Sequence, residues 1–253
     1  MNPWVVSPAP RPNPRLRMFC LPAAGSGASM YRAWARHLPE EVEVLPVQLP
    51  GRENRFDEAP AADYGAAVAA LADGLAPLLH SPYVVFGHSM GALLSFGLAH
   101  HQRLHGQRQP ERLFVSGAPA PDRYRPDGER VLSEVDDEQL VLDLQARGGT
   151  SSAALADPEL LALVLPTLRA DYQVCASMPT PAGEPFSYGI SVFSGEEDTM
   201  TADELQDWKR WSHAETSVRC FPGGHFFLTE PSEQAVFEAV CRDLTAILKD
   251  DDD

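Results

Sequence analysis

Short apolar runs alternate with longer amphipathic runs along most of the chain. The short runs have the length and composition of buried strands, and the longer ones have helical periodicity. The predicted strands are 16–21, 42–47, 83–86, 113–116, 190–193 and 217–221. The predicted helices outside the central region are 29–38, 63–79, 92–101 and 233–248, with a further helix starting near residue 201. This alternation predicts an α/β fold with a mostly parallel, doubly wound sheet.

One stretch interrupts the alternation. About seventy residues separate residue 116 from residue 190 without a strand pattern, which is far more than a crossover connection needs. Amphipathic helical runs at 131–146 and 158–175 fill much of it. We therefore expect a helical lid, inserted at about 119–185 over the carboxyl edge of the sheet. Its leucines either pack the lid onto the body or line a channel for an acyl chain.

Length and charge narrow the class of protein. The 253 residues, 44% of them hydrophobic, suit one domain at 16–249, preceded by a flexible proline-rich arm at 1–15 and followed by an acidic tail at 250–253. The net charge of −16 argues against nucleic acid as a partner. No apolar run is long enough for a membrane span, and the first residues lack the apolar core of a signal peptide. Four scattered cysteines favour reduced thiols. We expect a cytoplasmic monomer.

The segment Gly87-His88-Ser89-Met90-Gly91 fits the pattern G-x-S-x-G. It follows the strand 83–86 and precedes the helix 92–101, which is the setting of a nucleophile elbow. The sharp turn leaves little room beside the serine, so the flanking glycines are expected. The pattern predicts Ser89 as an exposed nucleophile at the carboxyl edge of the sheet, and a tight turn with a passive serine is the alternative.

A serine nucleophile needs a base and an orienting acid, which follow it in the order acid, histidine in hydrolases with this elbow. Asp198 lies in a loop just after the strand 190–193, and His225 lies in a glycine-rich loop after the strand 217–221. Both loops are expected at the same edge of the sheet as Ser89.

Other residues compete for these roles. Glu196, Glu197 and Asp171 are alternatives to Asp198 as the acid. His88 is next to the nucleophile, but neighbouring side chains on such an elbow diverge, so we do not expect it to be the base. The remaining histidines lie near helix ends or turns, and His225 has both the order and the loop setting of a base.

Acyl transfer also requires two N–H donors aimed at the oxygen where negative charge develops. Met90 follows the nucleophile and should provide the first donor. The loop 21–27, after the first strand, should provide the second, and Ala24 is our candidate. The glycines of this loop also suit a plain turn or a phosphate-binding loop. The chain has neither G-x-G-x-x-G nor G-K-[ST] there, which argues against nucleotide binding.

Several segments resemble the type II thioesterases, the discrete editing hydrolases of polyketide and nonribosomal peptide synthesis, within the α/β-hydrolase superfamily. The resemblance covers about 17–248 and is carried by these segments: 19–25 (Phe-Cys-Leu-Pro-Ala-Ala-Gly), 49–53 (Leu-Pro-Gly-Arg-Glu), 86–92, 168–172 (Leu-Arg-Ala-Asp-Tyr), 195–198 and 221–227. It implies Ser89 as nucleophile, Asp198 as acid, His225 as base, and the backbone of Ala24 and Met90 as oxyanion donors. Ala-Ala-Gly-Ser stands where the family more often has an aromatic residue or histidine before Ala-Gly-Gly, which affects the pocket wall.

The resemblance implies a substrate as well. This is an acyl group held as a thioester on the phosphopantetheine arm of a carrier protein or carrier domain, which would be hydrolysed without a metal or other cofactor. Carrier proteins are usually acidic, as this chain is, so docking needs local positive charge. We expect four arginines near the lid and entrance to provide it: Arg52, Arg55, Arg123 and Arg125.

Three other functions remain open at this point. A medium-chain fatty acyl-carrier thioesterase that releases finished chains shares the fold and the chemistry. A general carboxylesterase would prefer oxygen esters. An inactive hydrolase fold that only binds an acyl partner belongs to another class, and the complete serine, aspartate and histidine set argues against it.

Overall fold

The computed structural model describes residues 2–124, 127–150, 152–229 and 232–250. Within them, six strands form one sheet in which every pairing is parallel, in the order β2-β1-β3-β4-β5-β6. The strands are β1 (Leu16–Leu21), β2 (Val42–Pro46), β3 (Tyr83–His88), β4 (Arg112–Ser116), β5 (Gly189–Gly195) and β6 (Thr216–Phe221). The predicted α/β class and parallel sheet are confirmed.

Helices cover both faces of this sheet, as right-handed crossovers between parallel strands require. The helices outside the central insertion are α1 (Tyr64–Leu75), α2 (Met90–Leu104), α7 (Ala202–Gln206) and α8 (Glu233–Asp250). The helices of the insertion are α3 (Asp127–Glu134), α4 (Asp137–Arg147), α5 (Ser152–Leu155) and α6 (Pro158–Ala176).

Two apolar layers enclose the sheet because successive strand residues point to opposite faces. In β1, Phe19 and Leu21 belong to the layer under α1 and α2, whereas Met18 and Cys20 belong to the layer under α8. All of these side chains are fully buried. Burial on both faces explains why the strands read as continuous apolar runs. It also fixes their register, and with it the edge at which the loops after the strands meet.

The segment predicted as a helix at 29–38 forms two short 3-10 turns instead, Ala28–Tyr31 and Trp34–Arg36. Gly27 at the first N-cap has no side chain to accept a hydrogen bond from the helix start. Tyr31 and Trp34 are buried against Phe86, edge to face. The packing of these aromatic side chains therefore favours two short 3-10 turns over a continuous α-helix in this segment.

The helix predicted at 131–146 is also divided, because α3 ends at Glu134 and α4 begins at Asp137. Asp136 caps α4, its carboxylate accepting a hydrogen bond from the Gln139 N–H at 3.0 Å. An aspartate at the N-cap stabilises a new helix start more than it stabilises a helix interior. The predicted helix 158–175 is confirmed as α6.

The insertion has a small apolar core of its own. Leu140 of α4 and Leu165, Leu168 and Tyr172 of α6 are buried together. None of the three leucines lines the cavity beside Ser89. Of the two alternatives for the lid leucines, these three therefore serve packing.

The first residues, for which we expected a flexible arm, lie against the body in the structure. Val5 forms an antiparallel bridge with Val47, and the Val6 N–H donates to the Pro46 carbonyl at 2.9 Å. Trp4 packs close to Gly74 of α1, where a Cβ would lie 2.3 Å from the indole. The arm thus extends the outer edge of β2. Of the acidic tail predicted at 250–253, residues 251–253 lie outside the described residues.

Across the described ranges, no helix has the length and apolar character that a membrane crossing would require.

Candidate active site

Ser89 occupies a strained turn between β3 and α2. Its backbone has φ 54° and ψ −118°, a conformation that non-glycine residues rarely adopt. The turn is possible because its neighbours lack side chains: a Cβ on Gly87 would lie 2.1 Å from the Gly91 oxygen, and one on Gly91 would lie 2.2 Å from the Leu21 oxygen. This is the geometry of a nucleophile elbow, which projects the serine above the sheet edge.

Three predicted residues form one hydrogen-bonded series. The Ser89 Oγ lies 3.0 Å from His225 Nε2, and His225 Nδ1 lies 2.9 Å from Asp198 Oδ2. The Asp198 and His225 side chains are only 4% and 12% exposed. The structure therefore brings together Ser89, Asp198 and His225 in the arrangement that nucleophilic acyl transfer uses.

The loops that carry Asp198 and His225 are tied to each other. The Glu196 N–H donates to the Phe221 carbonyl at 2.8 Å, and the Glu197 N–H donates to the Gly223 carbonyl at 3.0 Å. Glu196 and Glu197 themselves are exposed. Their backbones position the acid, and the structure pairs the imidazole with Asp198.

The electrostatics of the pair favour an ionised Asp198. Burial opposes the charge of the Asp198 carboxylate. The hydrogen bond from His225, the electrostatic attraction of the His225 and His88 imidazoles and the hydrogen bond from the Thr199 N–H outweigh it, and together they lower the pKa of this carboxyl below its ordinary value. An ionised carboxylate fixes the imidazole tautomer with its proton on Nδ1, which leaves Nε2 free to accept from Ser89.

His88 lies beneath the base, with its ring centroid 5.0 Å from that of His225. It is fully buried, and its Nδ1 lies 2.9 Å from the Ser116 hydroxyl. Burial, followed by the charge of His225, holds the pKa of His88 well below its ordinary value. His88 is thus a neutral packing partner, and no hydrogen bond connects it to Ser89.

The two predicted oxyanion donors, Ala24 and Met90, line the same cavity as Ser89. Helix α2 begins at Met90, so the Met90 N–H is among the first-turn donors that have no partner within the helix. Ala24 belongs to the loop after β1, as expected. The structure places both residues beside the nucleophile.

A buried ion pair supports the Ala24 loop from the lid side. Asp171 of α6 accepts a hydrogen bond from the Gly25 N–H at 2.8 Å, and both its oxygens accept from Arg52 at 2.7 Å. Arg52 donates a further hydrogen bond to the Ser26 carbonyl at 3.0 Å. The pair therefore joins the lid helix, the 49–53 segment and the loop that carries Ala24.

The docking role expected for two of the arginines is wrong. Arg52 is 6% exposed and Arg55 is 7% exposed. Arg55 binds Glu58 through two nitrogens and stacks over Trp4 at 4.3 Å. Both guanidinium groups are committed to internal contacts, so neither is available to a partner. In α6, Asp171 is spaced to lie on the same buried face as Leu168 and Tyr172. That spacing was a signal in the sequence that the carboxylate of Asp171 needs a positively charged partner.

Of the other two arginines, the structure describes Arg123 but not Arg125. Arg123 is accessible and lines the cavity, but it is ion-paired with Asp207. Arg125 lies outside the described residues.

The cavity around Ser89 has a volume of about 260 Å³. Tyr172 and Cys175 of α6 contribute to its wall, together with Tyr124 and Met200. Within the described ranges, no cluster of three or more histidine, cysteine or acidic residues is placed to hold a metal ion. The three hydrogen-bonded residues and the two candidate backbone donors share one site at the carboxyl edge of a parallel sheet, as in the α/β-hydrolase fold.

Comparisons with known proteins narrow the class further. Residues 16–248 match the family model of the thioesterase domain. The chain is 39% identical over 249 residues to the gramicidin S biosynthesis protein GrsT of Aneurinibacillus migulanus, covering 98% of this chain and 96% of that protein. The chain therefore belongs to the thioesterase family.

Two solved structures are similar across the fold. One is the type II thioesterase BorB from the borrelidin biosynthetic cluster, with a TM-score of 0.86 and 33% identity, covering 95% of this chain and 97% of that one. The other is the RedJ thioesterase of prodiginine biosynthesis in Streptomyces coelicolor, with a TM-score of 0.84 and 34% identity, covering 92% and 89%.

Proposed function

We propose that this protein hydrolyses acyl thioesters on the phosphopantetheine arms of carrier proteins or carrier domains, and so clears aberrant acyl groups from a polyketide or nonribosomal peptide synthase. The observation that carries the proposal is the Ser89–His225–Asp198 series, at 3.0 and 2.9 Å, in a chain of the thioesterase family. The biosynthetic setting rests on the similar proteins named above.

In the first half of the reaction, Ser89 Oγ attacks the thioester carbonyl carbon while His225 Nε2 accepts the hydroxyl proton. Negative charge collects on the carbonyl oxygen, where the N–H groups of Ala24 and Met90 stabilise it. The carbon–sulfur bond then breaks, and the pantetheine sulfur leaves as the thiol with the proton from His225, which returns the imidazole to its neutral form. The product is an acyl group esterified to Ser89.

In the second half, water takes the place of the thiol. His225 accepts a proton from the water as its oxygen attacks the acyl-serine carbonyl. Collapse of the second tetrahedral intermediate releases the carboxylic acid and returns the proton to Ser89. Asp198 stabilises the imidazolium in both halves. The sequence of steps needs only protein groups and water.

Mass spectrometry of a panel of acylated carrier proteins, incubated with the wild-type protein, tests this function. We expect slow, broad removal of short acyl groups and no removal by Ser89→Ala. A fluorophosphonate probe should label the wild type and not this variant. Release of one long acyl chain in strong preference would indicate product release instead, and faster cleavage of matched oxygen esters would indicate a carboxylesterase. Undiminished hydrolysis by Ser89→Ala would refute the proposed mechanism.

A further inference from the structure

A second cavity lies next to the catalytic one, and one residue separates the two. Its volume is about 200 Å³, and Met90 is the described residue that lines both cavities. The Met90 N–H is a proposed oxyanion donor, while its side chain is buried, with 2% exposure. The second cavity therefore begins at the residue whose N–H is proposed to stabilise the carbonyl oxygen.

Small apolar side chains create this cavity. Ala66, Ala67 and Ala70 of α1 form one wall, and Leu94 of α2 lies opposite, beside Met90. A longer side chain on the inner part of that wall would occupy some of the space. Ala66 is exposed, which places it at the rim, whereas Ala67 and Leu94 are buried.

The charged residues in the lining do not make the cavity polar. Arg52 and Asp171 reach it, but they neutralise each other through two hydrogen bonds of 2.7 Å. A ligand there would find no unpaired charge among them. An apolar occupant matches such a lining, because its hydrocarbon surface leaves water without stranding a polar group.

The arm closes part of the cavity. Trp4 lines it, held by the Arg55 guanidinium stacked on its indole at 4.3 Å and by the hydrogen bond between the Trp4 carbonyl and the Gln48 N–H at 2.9 Å. An occupant that starts at Met90 would meet a large aromatic wall. Trp4 therefore limits the length of chain that fits.

We infer that this alanine-lined cavity is the site for the hydrocarbon tail of the acyl group, with the Met90 side chain as the movable wall between it and Ser89. A thioester carbonyl carbon carries two substituents. With the sulfur and its pantetheine arm in the catalytic cavity, the tail needs a second, apolar space. Methionine suits the wall because its three rotatable bonds let it change shape at low cost. The inference rests on the proposed thioesterase function and adds an alkyl chain as the preferred acyl class.

Filling the cavity tests this site. Ala70→Leu places a larger side chain in it without touching Ser89, His225 or Asp198, and Ala69→Leu is the matched control, since Ala69 is exposed on the same helix and does not line the cavity. The measurement is kcat/KM for acyl-pantetheine thioesters from acetyl to decanoyl. We expect Ala70→Leu to keep acetyl hydrolysis and to lose at least about tenfold on octanoyl, since each methylene displaced from an apolar site costs up to about fourfold.

Two further variants keep the test decisive. Ala66→Leu at the rim should show a weaker form of the same loss if Ala70→Leu does not fold. Trp4→Ala should shift the preference toward longer chains. An unchanged chain-length profile in folded Ala70→Leu and Ala66→Leu, equal to that of Ala69→Leu, overturns the inference. A wild type that hydrolyses none of the thioesters contradicts the proposed function itself, so the two failures are distinguishable.

Discussion

The site has two sides: a base side, which holds His225, and an oxyanion side, which holds the Ala24 loop. Each side depends on one buried aspartate, but the two carboxylates have different partners. Asp198 faces the imidazole of His225, which changes its charge in the proposed reaction. Asp171 faces the guanidinium of Arg52, which stays charged, and the N–H of Gly25, which is a neutral donor. The first carboxylate responds to the chemistry, and the second holds a backbone loop still. The partner, more than the residue type or its burial, decides what a buried aspartate does.

The largest expected effect is on the base side. Asp198→Asn preserves the size of the side chain but removes its charge and presents a donor to His225. The imidazole then loses the tautomer that accepts from Ser89, and kcat should fall by about 10³- to 10⁴-fold. Steady-state kinetics on an acyl-pantetheine substrate measures this, with circular dichroism to verify the fold. A loss of less than about tenfold would mean that another group orients His225.

The oxyanion side should show a smaller catalytic effect and a larger effect on stability. Asp171→Asn leaves the Arg52 charge buried without a counter-ion, which costs about 3–5 kcal/mol of unfolding free energy. It also loosens the Gly25 contact beside Ala24. Because removal of one oxyanion donor outright costs about 10²- to 10³-fold, we expect kcat to fall about 10- to 100-fold at little change in KM.

The chain offers a matched control for Asp171→Asn. Asp243 of α8 is also buried and accepts two hydrogen bonds from Arg219 of β6, at 2.7 and 2.8 Å, and one from the Ser191 hydroxyl of β5, at 2.7 Å. Asp243→Asn should destabilise the protein comparably and leave the kcat of the folded fraction near that of the wild type. Equal losses of kcat in both variants would show that Asp171 acts through stability alone.

Lowering the pH should destabilise the folded protein through His88, which lies on the base side of the site. The pKa of His88 is depressed in the folded protein, so the unfolded chain binds one more proton once the pH falls below about 6.5. Stability is therefore lost as the pH falls, by up to about 1.4 kcal/mol per pH unit from this residue. Asp198 adds nothing in this range, because an ordinary aspartate in the unfolded chain is already ionised above about pH 5 and the folded protein lowers its pKa further. Urea unfolding of wild type and His88→Asn between pH 5.5 and 7.5 measures the difference, and parallel slopes would contradict it.

Local patterns in the sequence were enough to predict the sheet and the elements around Ser89. Burial on both faces produced the apolar runs, and the glycines of the elbow marked the tight turn. The positions of Asp198 and His225 followed from the rule that parallel strands end at one edge.

What the sequence did not predict depends on contacts between distant residues. Arg52 and Asp171 are 119 positions apart, so nothing near Arg52 indicated that its charge is internal. The break in the lid helix at Asp136 depended on whether capping or continued helix was more stable. The placement of Trp4 depended on an alanine-rich surface of α1 that only the folded structure brings near it.

The positive φ of Ser89 has a consequence for how this enzyme could be stabilised. A non-glycine residue in that conformation destabilises the fold by about 1–3 kcal/mol. Ser89→Gly would relieve the strain and remove the nucleophile together, so the inactive protein should unfold at a higher temperature than the active one. Selection for thermal stability alone would therefore favour loss of the nucleophile, and a screen for robust variants has to require activity at every round.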